Sequence, residues 1–206
     1  MITIHHASGT RGYRAIWACE ELSTPYKLVA VDMSPEHRAS LEWRRMNPVG
    51  KVPVMSDGEL TMYESGAMVQ YIVDRYGNGR LQPARDCNDH ALYLQWSWFA
   101  ESTFARPLGE VVNHGRAFPG CEIPAVIDEM KARGRLCAQA VAKHLNDKQY
   151  LLGDTFSGAD IMMFYTLRLY RETVEAELPG ALSTYWSRIS KRSAFERTEA
   201  ADASLP

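Results

Sequence analysis

The stretch from Asn47 to Ile72 contains residue types that could bind a peptide-like ligand. Val52–Met55 is a short β-type run in which Pro53 cannot donate a hydrogen bond to a ladder, so this end of the strand is expected to lie at a sheet edge. The Val52–Pro53 bond is also a candidate for the cis form. The backbone groups of Val52 are therefore predicted to be free to pair with an extended peptide-like ligand.

A helix start follows this run and offers complementary charges. Ser65 is expected to cap the helix and Gly77 to end it. The N-terminus of such a helix has unpaired N–H groups and the positive end of the helix dipole, which suit a carboxylate. Glu64 could bind an ammonium group, and this interpretation is favoured over a merely favourable acid of the first turn, because Glu64 accompanies the Val-Pro strand. The edge strand, the anion site and the carboxylate together predict a receptor for a small zwitterionic peptide.

The elements that must position these residues form an α/β pattern. Ile2–Ile4 and Leu28–Val31 are predicted strands on either side of a helix from about Arg11 to Ser23, which makes a βαβ unit. After a polar, weakly helical segment, Val52–Met55 and Leu60–Tyr63 form a predicted hairpin. This βαβ-α-ββα order lacks a CxxC motif, so a thioredoxin-like fold here would serve binding rather than dithiol exchange.

The remainder of the chain is predicted to be helical. Residues 77–88 are rich in helix breakers and read as an inter-domain linker. His90–Leu108 is apolar on most sides, and Pro124–Leu145 carries a regular apolar stripe. Ser157-Gly-Ala-Asp160 has capping-box spacing before a helix that is apolar nearly all round, so Asp160 is interpreted as structural. The tail after Phe195 is polar and rich in Ala, and it is expected to be frayed.

Composition excludes several classes of function. A chain of 206 residues with a net charge of −2 has no global bias toward nucleic acid or membrane surfaces. Its four cysteines lack metal-ligand spacing, and no third ligand accompanies the pair His5-His6, so no metal site is predicted. There is no apolar run long enough to span a bilayer, and the chain opens into a strand rather than a signal peptide. A reduced, cytoplasmic protein is expected.

The segments VPVM and ESGAMVQYI together resemble the glutathione-binding half of the cytosolic glutathione transferases, bacterial type. In that family a Val-Pro pair and a hairpin precede a Glu/Gln-Ser pair that opens a helix. The resemblance implies an α/β plus all-α architecture: a thioredoxin-like domain over residues 1–78, a linker over 79–88 and an all-helical domain over 89–206. It also implies glutathione as co-substrate, a small electrophilic acceptor and a homodimer, with no nucleic acid or membrane as partner.

The same resemblance assigns roles in holding the glutathione peptide. Val52, Glu64 and Ser65 correspond to the groups that bind its backbone, its ammonium group and a carboxylate, and Pro53 shapes the site. Several classes of the family use a side chain at the place of Lys51 to meet the glycine carboxylate of glutathione, although Lys51 could be only a solvated loop cation. Arg38 lies in the region from which family members extend a second cation.

The loop from Ser8 to Tyr13 is where the resemblance implies the chemistry. In the family a Tyr, Ser or Cys at the start of the first helix meets the glutathione sulfur, and Thr10 falls where the Ser-type and Cys-type classes place that residue. Ser8 is the rival hydroxyl, and Arg11 could add positive potential. A merely structural alternative is that Thr10 is the N-cap of the first helix. Tyr13 is expected to line the acceptor pocket.

Three functions therefore remain open from the sequence. The leading one is transfer of the glutathione thiolate to small hydrophobic electrophiles. A glutathione-dependent isomerase or dehalogenase of the same fold is an alternative, although the Ser-Ser-Cys run of the isomerases is not matched by Ser8-Gly9-Thr10. A non-catalytic binding module that keeps the fold is the alternative from a different class.

Overall fold

The computed structural model describes residues 1–174 and 177–205. Contacts divide the chain into two compact units: Met1–Leu81 together with the segment from Ser190 onward, and Gln82–Ile189. The predicted α/β and all-α fold class is confirmed. The predicted domain bounds of 1–78 and 89–206 stay a prediction, and they differ from the compact units in the segment that follows Ser190.

A four-stranded sheet forms the centre of the first unit. Its strands are β1 (Ile2–His6), β2 (Tyr26–Ala30), β3 (Val54–Asp57) and β4 (Leu60–Tyr63), in the order β2-β1-β3-β4. β1 is parallel to β2 and antiparallel to β3, and β3 is antiparallel to β4. The expectation that the Val-Pro run belongs to an edge strand is wrong, because β3 pairs on both sides. Pro53 avoids the ladder because the strand begins one residue after it.

The Met1–Leu81 part of this unit also contains four helices: α1 (Tyr13–Leu22), α2 (Pro35–Ala39), α3 (Leu41–Met46) and α4 (Ser65–Tyr76). α1 is buried along most of its length, including Trp17 and Arg14. Its N-cap is Gly12, which makes no side-chain capping bond. The alternative in which Thr10 caps α1 is therefore wrong. Gly77 follows α4 as predicted.

The expectation of a frayed tail is also wrong, because a last helix, α10 (Ser193–Ala203), packs against α1 in the first unit. Arg192, just before α10, donates from Nε and Nη2 to the two carboxylate oxygens of Glu21 at 2.6 and 2.7 Å. The rings of Trp17 and Phe195 meet edge to face at 5.5 Å between centroids. The buried positions of α10 are Ala194, Thr198 and Asp202, which are small or polar and therefore leave no apolar stripe.

The second unit is helical. Its helices are α5 (Asn88–Trp98), α6 (Ala105–Ala117), α7 (Pro124–His144), α8 (Gly158–Val174) and α9 (Gly180–Ile189), and a π-helical stretch (Phe99–Phe104) joins α5 to α6. In α7 the buried positions are Gly134, Ala138 and Val141, so only part of the predicted stripe is buried. α8 is buried almost throughout, as predicted. Within the described residues, no helix has both the length and the apolar character that a bilayer crossing requires.

The structural interpretation of Asp160 agrees with its contacts. Its carboxylate accepts a hydrogen bond from the Ser157 backbone N–H at 2.8 Å, which is the reciprocal contact of a capping box, and a second one from the Ser157 hydroxyl at 3.0 Å. It also accepts from the Leu151 N–H at 2.9 Å and the Tyr185 hydroxyl at 2.8 Å. Burial raises the pKa of Asp160 although these donors favour its charged form. One side chain thus connects the start of α8 to α9 and to the preceding loop.

Candidate functional site

The turn from β4 into α4 has an unusual backbone. Glu64 has φ 76° and ψ 105°, a region that residues with a Cβ rarely adopt, and its side chain is exposed. Such strained residues cluster at ligand sites in proteins. Glu64 occupies the N-cap position without a side-chain capping bond, so the expectation that Ser65 is the cap is wrong by one residue. Ser65 is instead the first residue of the helix.

The Ser65 hydroxyl is buried, with 4% of the residue exposed, and it accepts a hydrogen bond from Arg14 Nη1 at 3.1 Å. Arg14 is itself fully buried in α1. Since Ser65 uses a lone pair for this contact, its own hydrogen remains available to an acceptor. Arg14 therefore adds positive charge behind the start of α4. It was not among the predicted site residues, because an arginine in a helix normally faces solvent.

Val52 and Pro53 lead into β3 at the same end of the sheet at which β4 leads out to Glu64. Val54 pairs with Tyr63 at the end of the β3–β4 ladder, so the residues just before β3 and just after β4 are neighbours. The Val52–Pro53 bond is cis. Val52 precedes the ladder, which begins at Val54, and the availability of its backbone groups to a ligand stays a prediction.

The loop before Val52 is stabilised from within. Asn47 is buried, donates from Nδ2 to the Lys51 carbonyl at 2.9 Å and accepts from the Val49 N–H at 3.0 Å. The Lys51 side chain is exposed. Asn47 therefore orients the backbone of Lys51 while leaving its ammonium group at the surface.

Arg38, on α2, contacts the same loop. Its Nε donates to the Gly50 carbonyl at 3.1 Å, and its own carbonyl accepts from Arg44 Nε at 3.0 Å. Gly50 has φ 66°, and a Cβ there would collide with the Arg38 carbonyl. Arg38 thus stabilises the loop that presents Lys51, and glycine is the residue that permits this close approach.

The first loop contains both predicted hydroxyls, and they have different partners. The Thr10 hydroxyl donates to the Ala7 carbonyl at 2.7 Å and lies 3.1 Å from His6 Nδ1. The Ser8 hydroxyl donates to Asp202 Oδ2 at 3.1 Å. The Gly9 N–H lies 3.1 Å from both oxygens of the same carboxylate, and Gly9 has φ 74°. Of the two hydroxyls, only that of Ser8 contacts α10.

His6 and Asp202 lie beneath this loop. His6 is fully buried, and its Nε2 lies 2.7 Å from Asp202 Oδ1. Burial alone would raise the pKa of Asp202, but the hydrogen bonds from His6, Gly9 and Ser8 lower it overall. A Cβ at Gly12 would collide with the His6 ring, so the start of α1 also confines this histidine. The described residues contain no group of three or more potential metal-binding side chains, here or elsewhere.

The predicted residues therefore fall into two neighbouring parts of the first unit, which α1 connects through Arg14. Arg11 is half-buried just before α1. Tyr13 is fully buried in α1, so the expectation that it lines an open acceptor pocket is wrong. The sequence analysis also missed Arg14, His6 and Asp202, since nothing in the local patterns connects them. Chemically, this arrangement offers an anionic ligand the Ser65 hydroxyl, the N-terminus of α4 and the positive charge of Arg14 behind it.

The second unit contains a groove of about 820 Å³ between α6 and α7, lined by residues that include Arg106, His114, Phe118, Arg133 and Cys137. None of the predicted site residues lines it.

Comparison with protein families gives two matches. Residues 2–74 match the glutathione S-transferase N-terminal domain, and residues 122–193 match the glutathione S-transferase C-terminal domain. Every predicted site residue lies in the first match. Asp202 lies outside both.

Known proteins resemble the chain over nearly its full length. It is 24% identical to glutathione S-transferase 3 of Schizosaccharomyces pombe over 200 residues, which cover 92% of this chain and 82% of the relative. It is 25% identical to the disulfide-bond oxidoreductase YfcG of Escherichia coli, over 94% of this chain and 92% of the relative.

Among solved structures, a glutathione transferase of Phanerochaete chrysosporium in complex with oxidized glutathione superposes with a TM-score of 0.89 at 21% identity, over 100% of this chain and 97% of the other. That likeness concerns the fold. The two family matches, with which the fold and the geometry of the Glu64–Ser65 turn agree, show that the chain belongs to the glutathione S-transferase family.

Proposed function

We propose that this chain is a glutathione transferase that uses glutathione as co-substrate and adds its thiolate to small hydrophobic electrophiles. The observation that carries the proposal is the common end of the β3–β4 ladder, where Val52 and the Glu64–Ser65 turn are neighbours. Such an arrangement suits a short zwitterionic peptide, because backbone groups, a carboxylate and a helix N-terminus face the same region.

In the proposed complex, Val52 pairs with the peptide backbone, Glu64 binds the ammonium group and Ser65 donates to a carboxylate. Lys51 meets the glycine carboxylate. Pro53 shapes the site without direct chemistry.

Two arginines support these contacts in the proposal. Arg38 contributes by stabilising the loop that carries Lys51, and Arg11 adds positive potential near the sulfur.

Thiol activation needs only a moderate free energy. A free thiol has a pKa of about 8.5, and lowering it by about two units requires about 2.7 kcal/mol of preferential thiolate stabilisation. A hydrogen bond from the Thr10 hydroxyl to the thiolate supplies about 1.5–3 kcal/mol. The N-terminus of α1 adds about 0.3–1 kcal/mol. The sum would cover such a shift once the Thr10 hydroxyl turns from the Ala7 carbonyl toward the sulfur.

Assays separate this proposal from three alternatives: an oxidoreductase, an isomerase or dehalogenase, and a binding module. The relation to a disulfide-bond oxidoreductase favours thiol–disulfide chemistry as the second candidate, although Thr10 cannot form a mixed disulfide. An isomerase or dehalogenase of the same fold would also use glutathione as its co-substrate. Turnover of an aromatic halide only when glutathione is present would support the transferase. Turnover of a disulfide substrate without halide conjugation would support the oxidoreductase. Glutathione binding without turnover of any electrophile, disulfide or isomerase substrate would indicate a binding module.

Glutathione binding provides the first test. We expect Ser65→Ala to weaken binding by about 1.5–3 kcal/mol, because it removes one charge-assisted hydrogen bond to the ligand. Titration calorimetry measures the change. Ser56→Ala, on β3 of the same unit, is the control and should leave the affinity unchanged.

The contribution of Glu64 has a matched control in Glu59, an exposed glutamate of the hairpin turn. Glu64→Gln and Glu59→Gln change the net charge equally, but only Glu64→Gln should reduce the affinity. Equal effects would show that general charge rather than a specific contact is measured. If the wild-type protein binds no glutathione at millimolar concentration, the proposed function is wrong.

We also propose a homodimer in the cytoplasm. Twofold assemblies are the commonest oligomers, and the family resemblance implies this state. Light scattering at micromolar protein concentration is expected to give twice the mass of the 23.3 kDa chain. A monomer mass under those conditions would rule the dimer out.

A further inference from the structure

We propose that His6 and Asp202 are positioning residues for thiol activation: together they orient the Thr10 hydroxyl so that its hydrogen is directed away from His6 and toward the bound sulfur. This inference rests on the proposed function. It adds two residues to the site, one at the end of β1 and one near the end of α10, which neither family match assigns a role.

The contacts of Thr10 and His6 constrain which of their atoms donate hydrogen bonds. A threonine hydroxyl has one hydrogen, and the Thr10 hydroxyl donates it to the Ala7 carbonyl at 2.7 Å. The 3.1 Å contact between Thr10 Oγ1 and His6 Nδ1 is therefore a hydrogen bond only when Nδ1 is the donor. The 2.7 Å contact between His6 Nε2 and Asp202 Oδ1 likewise needs a hydrogen on Nε2, because an ionised carboxylate only accepts. In the proposed arrangement both ring nitrogens of His6 donate, Nδ1 to Thr10 Oγ1 and Nε2 to the Asp202 carboxylate.

This protonation pattern has a direct consequence for Thr10. An imidazolium that donates to Oγ1 leaves the hydroxyl hydrogen free to point at the Ala7 carbonyl or, after rotation, at a thiolate. A neutral His6 with a bare Nδ1 would instead compete with the sulfur for that same hydrogen. Hydrogen bonds in a chain also polarise one another, so a charged donor to Oγ1 makes the hydroxyl a stronger donor.

Asp202 keeps the imidazolium in place through several contacts. Its carboxylate also accepts from the Ser8 hydroxyl and from the Gly9 N–H, so that it organises the backbone that leads into Thr10. Gly12 confines the His6 ring from the side of α1. The negative charge of Asp202 would by itself oppose a nearby thiolate, and pairing it with His6 removes this cost. Its position on α10 therefore links the last helix to the reactive loop.

The test measures the pKa of enzyme-bound glutathione by thiolate absorbance, together with kcat and KM. Asp202→Asn keeps the size of the side chain but removes its charge. Because a charged donor forms a hydrogen bond roughly twice as strong as a neutral one, we expect the pKa of bound glutathione to rise by about 0.5–1 unit. We expect kcat near neutral pH to fall about three- to tenfold, while the KM for glutathione stays within about twofold, since the peptide-binding groups are unchanged.

Arg192→Gln is the matched control. It removes the paired hydrogen bonds between α10 and Glu21 without touching the carboxylate of Asp202. A purely structural role of α10 predicts that this variant raises the pKa of bound glutathione as Asp202→Asn does. Our proposal predicts no such shift in Arg192→Gln.

Two substitutions of His6 separate its two nitrogens and keep the test valid if Asp202→Asn does not fold. His6→Asn retains an amide near the position of Nδ1 and should keep part of the lowered pKa. His6→Gln retains an amide near the position of Nε2, loses the contact with Thr10 and should lose the effect. In the Thr10→Val background, Asp202→Asn should cause no further shift, because the hydroxyl through which it acts is absent.

The outcomes distinguish this inference from the function on which it rests. Wild-type protein that binds no glutathione, or binds it without lowering the thiol pKa, contradicts both. A lowered pKa in the wild type that is unchanged in Asp202→Asn and in His6→Gln overturns only the positioning role. Equal shifts caused by Asp202→Asn in the wild-type and Thr10→Val backgrounds also overturn it, because the pair would then act without Thr10.

Discussion

We expect Asp160→Ala to lower the free energy of unfolding by about 3–5 kcal/mol, a loss at the upper end for a single substitution. The reason is the set of donors that this carboxylate serves. The N–H groups of Leu151 and Ser157 and the hydroxyls of Ser157 and Tyr185 all lie within 3.0 Å of it, and the residue is fully buried. Alanine would leave these donors without an acceptor in a region that water does not reach.

Denaturant unfolding followed by far-ultraviolet circular dichroism measures this loss. Tyr185→Phe removes a single donor and should cost about 1.5–3 kcal/mol, while Asp128→Ala, at an exposed position of α7, should change stability by about 0.5 kcal/mol or less. If Asp160→Ala costs no more than Tyr185→Phe, the carboxylate is not the common acceptor of this region. Retained glutathione affinity in a folded Asp160→Ala protein would further support a structural role.

The second large effect is expected at Thr10. Thr10→Val has nearly the same shape but no hydroxyl, and it should raise the pKa of bound glutathione by about one to two units. Turnover near neutral pH should fall about ten- to a hundredfold. Much of it should return at high pH, where the thiolate forms without a donor. Thiolate absorbance of the binary complex against pH is the direct measurement.

Two variants control for this result. Thr10→Ser keeps the hydroxyl and should titrate like the wild type. Ser8→Ala should have little effect, because the Ser8 hydroxyl donates to Asp202 rather than to the sulfur, and His6 and the Gly9 N–H still hold that carboxylate. An unchanged titration in Thr10→Val with a shifted one in Ser8→Ala would transfer the role to Ser8. No shift in either would indicate that backbone N–H groups and the start of α1, with Arg11, stabilise the sulfur.

The features that could be predicted from sequence are those that depend on residues close together in the chain. The Val52–Pro53 pair, the hairpin and the Glu64–Ser65 turn follow one another within a few residues. The capping box at Ser157 and Asp160 likewise uses positions three apart. In such cases the backbone geometry follows from the local residue types. The error of one residue at the start of α4 is typical of helix ends, where capping and first-turn positions suit the same side chains.

The missed features depend on distant polar contacts. Arg14 faces Ser65 from another helix, and His6 faces Asp202 from the other end of the chain. Periodicity detects buried faces through their apolar residues, but α10 buries Ala194, Thr198 and Asp202. Its polar sequence therefore looked like a frayed tail. It is held by contacts to distant residues: ion pairs to Glu20 and Glu21 on α1, the ring contact with Trp17 and the contact of Asp202 with His6, and a single sequence does not reveal these partners.

The order in which the chain is synthesised determines when the contact between His6 and Asp202 can form. The two residues are 196 positions apart, and the whole helical unit is translated between them. When Leu81 leaves the ribosome, the nascent chain has all four strands and α1, but the carboxylate that pairs with His6 does not yet exist. The helical unit has time to fold first, since domains generally fold as units during translation. Because Asp202 is made last, the reactive loop reaches its final hydrogen bonding only after α10 has been synthesised and has docked.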